Sequence, residues 1–200
     1  MPGGGRGVTI VGILLAAGSG TRFGGGKLLA PVRSAQDDVA AGTPVGVAAC
    51  RHLVAALPDS IAVVRPGDAA LAAAFALAGA RVVECARADE GMGASLACGI
   101  AAARDAGGWV VALADMPWVR PATIAAVAQA LQAGAAIAAP VWTRQRGHPV
   151  GFAREHYAAL AALCGDEGAR AVIAANPAAL QTFDVDDPGV LRDVDRPADL

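Results

Sequence analysis

Residues 8–15 read VTIVGILL, a short apolar run rich in β-branched side chains. They lead directly into a glycine-rich, basic loop, AAGSGTRFGGGK, at residues 16–27. No other feature of the chain constrains the fold as strongly. A strand that is apolar on both sides of its pleat must be covered on both faces, the condition of a parallel sheet layered between helices. Four further runs, at 61–64, 81–84, 109–113 and 135–139, repeat the pattern. Between them, 45–57, 68–78, 94–106 and 121–132 read as helices. Pro121 suits a first helical turn, where its missing N–H would be unpaired anyway. This alternation predicts an α/β fold with a mainly parallel central sheet. Beyond Pro140, 149–152 and 180–185 read as short strands, and 155–163 and 168–175 as helices. With 200 residues, 55% of them hydrophobic and 17% charged, one domain over 1–200 can bury a full core, residues 1–7 being a flexible lead. The polar stretch 34–43, which holds Asp37 and Asp38, reads as an exposed loop.

A net charge of −2 argues against a general nucleic-acid binder, which would be basic. The apolar run after residue 7 is too short to span a membrane, and no targeting segment is visible. Cys50, Cys85, Cys98 and Cys164 form no CxxC pair and have no histidine at a zinc-like spacing. They read as reduced thiols of a cytoplasmic protein.

In an open α/β sheet, ligands bind beyond the carboxyl ends of the strands. A glycine-rich loop there lets backbone N–H groups surround an anion. Arg22 and Lys27 add positive charge, and Ser19 and Thr21 add hydroxyl donors. The same segment read blandly is a flexible linker. Two common phosphate motifs fail on spacing. A dinucleotide fingerprint needs glycine at 23, which is Phe23. A Walker A loop needs glycine at 21 and a hydroxyl residue at 28, which are Thr21 and Leu28.

Three other segments carry chemistry. DEGMGASL at 89–96 opens a helix, so Ser95 is either a capping residue or an anion contact. WVVALADMP at 109–117 is a buried strand ending in Asp115. This carboxylate is either a turn residue or a hard oxygen ligand facing the crevice. LRDVDRPADL at 191–200 carries Asp193 and Asp195 and reads alone as an acidic, solvated tail. His52 and His156 sit in no motif and read as structural.

The string LAAGSGTRFGGGKLLAPV resembles the LAAGxSxRxGxxK signature of the MobA-like nucleotidyltransferases, and within them the molybdenum cofactor cytidylyltransferases. Segments resembling GMGxSL, GDMP, GxPVxF, GDxGAR and DIDTPEDL follow in order, so the likeness runs from Val8 to Leu200. It implies a three-layer Rossmann-like, GT-A-like fold and a magnesium-dependent transfer of CMP from CTP to a molybdopterin-type cofactor, with release of pyrophosphate. Leu15, Ala16, Ala17, Gly18, Ser19, Gly20, Thr21, Arg22 and Lys27 would hold the triphosphate, with Arg22, Lys27 and Asp115 catalytic. Gly93 and Ser95 would contact base and ribose. Asp115 and Asp195 would bind Mg2+, with Asp193 orienting or substituting for the latter. Arg146, His148 and Arg170 would bind the acceptor phosphate. Guanylate-transferring members tend to have a glycine pair where this chain has Ala16 and Ala17, which points to CTP over GTP. The resemblance leaves room for a molybdenum enzyme or its chaperone as a further partner. The chain departs from the pattern at Gly20, at Ala114 for a glycine and at Arg196 for a threonine. Two rival readings are transfer to another phosphorylated small molecule, such as a sugar phosphate, and a non-catalytic carrier of the cofactor.

Overall fold

A computed structural model describes residues 9–18, 23, 25–35 and 38–200. The expected flexible lead, Asp37, and the phosphate contacts Ser19, Gly20, Thr21 and Arg22 lie outside the described residues.

Among the described residues, eight strands form one sheet: β1 (Ile10–Leu15), β2 (Ser60–Val64), β3 (Arg81–Glu84), β4 (Gly108–Leu113), β5 (Ile137–Trp142), β6 (Gln145–Arg146), β7 (Val150–Ala153) and β8 (Leu180–Asp184). Their order is β3-β2-β1-β4-β7-β5-β6, with β8 pairing to β5. Strands β1 to β4 pair in parallel, as do β5 and β8, while β7 runs antiparallel between β4 and β5. Successive residues of the inner strands enter opposite cores. Leu14, Ala62, Val64 and Val110 pack under α1 (Val45–Ala56), α2 (Ala69–Leu77) and α4 (Pro121–Gln132). Ile13, Val63, Trp109 and Val111 pack under α3 (Met92–Ala102), α5 (Tyr157–Ala161) and α6 (Arg170–Ala175). The unbroken apolar runs in the sequence follow from this two-sided burial, which removes any polar face from the strand.

The structure departs from the sequence reading in several places, among them the added short strand β6. Strand β5 continues through Pro140 to Trp142 instead of ending at 139. A strand accepts proline where its N–H is not needed, and the Pro140 carbonyl still accepts from Gly147 N at 2.9 Å. Helix α3 starts at Met92, not 94, so the glycine segment is its first turn. The loop at 34–43 is not wholly exposed, because Val39 is buried with Val32, Val45, Trp118 and Val194 in a small third core.

Strands β5 and β6 are joined by Thr143 and Arg144, both in the left-handed region at φ 46° and 67°. Such a two-residue turn matches the twist of a hairpin, but Asn-Gly is the pair that adopts it readily. Each non-glycine residue there costs about 1–2 kcal/mol. Replacing Thr143→Asn together with Arg144→Gly should stabilise the protein by about 1 kcal/mol or more, read as a higher denaturant midpoint. A lower midpoint would mean that the two native side chains do more for the hairpin than their backbone strain costs.

Candidate active site

Beyond the carboxyl ends of β1 and β4, which lie side by side with Leu15 opposite Leu113, the sheet order reverses. Chains leave such a switch point in opposite directions and open a crevice. From β1 the chain passes Ala16, whose N–H donates to Val63 O at 3.0 Å, then Ala17 and Gly18. Gly25 and Gly26 take positive φ and turn the backbone into a short 3-10 segment, Lys27–Leu29. Its residue Leu28 packs against two cores, which fixes Lys27 over the crevice. The Lys27 ammonium lies 2.8 Å from Asp115 Oδ2 and 3.7 Å from Asp195 Oδ1.

Asp115 stands two residues past β4, and its backbone carbonyl accepts from Val194 N at 2.8 Å. That bond ties the C-terminal segment to the site, and the fully buried Val194 side chain anchors it in the third core. Asp193 and Asp195 flank this anchor. Oxygens of Asp115, Asp193 and Asp195 lie within 4.8 Å of one another. Downstream, Asp199 Oδ2 accepts the N–H groups of Arg196 at 2.6 Å and Asp195 at 2.9 Å. These two bonds hold the Asp199 carboxyl below its usual range. The Arg196 departure therefore leaves the local turn intact, since the turn uses the backbone N–H of that residue. Arg192 lies over the Trp118 ring at 4.1 Å and closes the outer side. The residues expected as metal ligands are thus brought together, with Asp193 as a third member. Three carboxylates this close repel one another, and one lysine neutralises only one of them. The all-oxygen donor set fits a hard divalent cation.

Two clefts meet at this cluster. One, of about 760 Å3, is lined by Leu15 to Gly18, Lys27, Asp115 and Ser95. Arg65, just past β2, lines it too, although no motif pointed to that residue. Its Nε donates to Ala17 O at 2.7 Å and its guanidinium pairs with Asp89. The only signal in the sequence was a lone arginine at a strand's carboxyl end. Ser95 Oγ donates to Gly91 O at 3.3 Å while facing the same cleft.

Gly93, expected to contact the nucleotide, makes a close structural contact. Its N–H donates to Gly165 O at 2.7 Å, and a Cβ at this position would stand 2.6 Å from Cys164 O. It bolts the start of α3 to the GDEGAR segment, while Gly91, at φ 121°, lines the cleft. Gly93→Ala should destabilise the fold by about 1–3 kcal/mol, because a backbone carbonyl cannot yield as a flexible side chain would. Urea unfolding reads this directly, and an unchanged midpoint would show that the 164–165 turn moves freely.

The second cleft, of about 940 Å3, holds Arg146, His148, Arg170 and Asp193 over an apolar floor that includes Leu96 and Phe152. Arg146 comes from β6, Arg170 from the start of α6, and His148 from the link between β6 and β7. The His148 backbone N–H donates to Val190 O at 2.9 Å. Burial pushes its imidazole below the ordinary range, with Asp115 acting the other way. Leu15, Met92, Leu113 and Asp166 line both clefts. The other two histidines are buried away from the clefts: His52 Nδ1–H can donate to Val119 O at 2.8 Å, and His156 packs edge-on to Phe152. The four cysteines are free, and no helix among the described residues is long and apolar enough to cross a membrane.

The sequence profile of the MobA-like NTP transferase domain matches residues 12–181. Among solved structures, the chain is similar to Rv0371c from Mycobacterium tuberculosis H37Rv, with a TM-score of 0.80, 31% identity and 96% of each chain covered. It is also similar to the manganese complex of Rv0371c, with a TM-score of 0.73, 31% identity, and 96% of this chain and 95% of that one covered. CMP:2-keto-3-deoxy-manno-octonic acid synthetase, solved with CTP, shares the fold with a TM-score of 0.68 at 16% identity, over 95% of this chain and 94% of its own. The Rossmann-like, three-layer architecture expected from the sequence is the one these structures have. No curated protein matches the chain.

Proposed function

Since the chain belongs to the MobA-like NTP transferase family, we propose that this nucleotidyltransferase moves CMP from CTP to a phosphate of a molybdopterin-type cofactor and releases pyrophosphate, with magnesium as its cation. The observation that carries this reading is the meeting of two clefts, one loop-lined with Lys27 and Arg65 in its wall, the other holding two arginines and a histidine, at a carboxylate cluster. In this reading the first cleft takes CTP. Backbone N–H groups of residues 17 and 18 and the side chains of Arg22 and Lys27 hold the triphosphate, with Ala16 leading the chain into the loop, and Ser95 and Arg65 lie toward the nucleoside. Arg146, His148 and Arg170 receive the acceptor phosphate in the second cleft.

An acceptor phosphate oxygen then attacks the α-phosphorus. A new P–O bond forms on the acceptor side, the bond to the β-phosphate bridge breaks, and pyrophosphate leaves. Two anions must be brought together, so positioning and charge neutralisation do most of the work. Asp115 and Asp195, with Asp193 beside them, would hold magnesium, which when bound offsets the charge of the triphosphate. Lys27 stabilises negative charge on the departing pyrophosphate. Ala16 and Ala17 in place of a glycine pair support CTP over GTP.

Pyrophosphate release measured with each of the four nucleoside triphosphates, with and without molybdopterin, tests the reading. Release is expected with CTP and molybdopterin together. Release only with a sugar phosphate as acceptor would replace the acceptor. Tight cofactor binding with no release from any triphosphate would replace catalysis by carriage.

A further inference from the structure

The Lys27 ammonium, whose side chain is only 14% exposed, stands against two of the three carboxylates that together fit a cation. It donates to Asp115 Oδ2 at 2.8 Å and lies 3.7 Å from Asp195 Oδ1. A divalent ion on these carboxylates would sit some 2 Å from the same oxygens. It would therefore lie within a few ångströms of the ammonium, a like charge, and would compete with it for Asp115. The glycine-flanked segment that carries Lys27 also faces the cleft where a triphosphate would offer stronger, multiply charged partners.

We propose that Lys27 is the resident counter-ion of the Asp115–Asp193–Asp195 cluster in the nucleotide-free protein, and that a triphosphate draws it away. The divalent cation is then admitted with the nucleotide and binds weakly before it. This inference rests on the reading that the cluster holds a cation. It assigns Lys27 a second role, an ordering one, beside its contact with phosphate.

The test is a titration of Mn2+ alone, with no nucleotide, followed by the electron paramagnetic resonance signal of the free ion. Wild type, Lys27→Met, Lys27→Gln, Lys27→Arg, Asp115→Asn and the Lys27→Met/Asp115→Asn double variant are compared, with circular dichroism as the check on folding. Removing a unit positive charge a few ångströms from the ion should tighten Mn2+ binding by about tenfold or more in the two neutral variants, while Lys27→Arg stays near wild type. Asp115→Asn should weaken binding in both backgrounds. If Lys27→Met or Lys27→Gln folds and binds Mn2+ no tighter than wild type, while Asp115→Asn still weakens it, the counter-ion role is wrong. If Asp115→Asn changes nothing in either background, the cluster is not the cation site, and both the reading and this inference fall. Lys27→Gln is one atom shorter but retains a polar N–H donor, so the test survives if Lys27→Met does not fold.

Discussion

Asp115→Asn is expected to lower pyrophosphate release by roughly 10²–10³-fold at saturating substrates, with the fold preserved. The substitution keeps the shape and one carbonyl-type oxygen but removes a full negative charge from the point where both clefts meet. Two things are lost at once: the charge that would hold magnesium, and the partner of Lys27 at 2.8 Å. The bond that ties down the C-terminal segment uses the backbone carbonyl of Asp115, so it survives the change. Thermal unfolding should therefore move by no more than the effect of one partly exposed ion pair, on the order of 1 kcal/mol. Release within about twofold of wild type would remove Asp115 from the reaction.

Lys27→Ala should also cut kcat/KM, by roughly 10²-fold, but with a different division between its parts. A lysine that touches the triphosphate both before and during bond cleavage contributes to KM for the nucleotide as well as to kcat. Asp115→Asn, by contrast, should act mainly on kcat once excess magnesium is supplied. The two variants are told apart by initial rates over a matrix of nucleotide and magnesium concentrations. An unchanged KM for the nucleotide in Lys27→Ala would place the ammonium away from the triphosphate.

What the sequence made legible follows from how each signal is encoded. Strands β1, β2 and β4 were readable because burial on both faces leaves an unbroken apolar run. Asp115 was readable because it closes one of those runs. The third core was not, since Val39 is a single apolar residue in a polar stretch and its partners Val45, Trp118 and Val194 are remote in the chain. Arg65 belongs to no motif, and its significance comes only from the carbonyl and carboxylate that it reaches. The GMG and GDEGAR segments both stand out as glycine-rich motifs, yet nothing local reveals that the Gly93 N–H is bonded to Gly165. Periodicity reports which face is buried, not which backbone atom lies across it. The β5–β6 turn was hidden for the opposite reason. Thr143 and Arg144 carry none of the residues that usually mark such a turn, and the strain is visible only in their dihedral angles.

The pairing of Lys27 with Asp115 spans 88 positions of the chain, and the Val194–Asp115 bond adds a second distant closure at the same place. Contacts so far apart in sequence are slow to find, because the entropy of closing the loop must be met before the contact gives anything back. Strands β1 and β4 pair across a still longer stretch, Val11 opposite Trp109, and only that pairing brings Lys27 and Asp115 to the same end of the sheet. During refolding from denaturant, enzymatic competence should thus return later than the burial of Trp109. A chain caught in between would carry a complete sheet and no working centre.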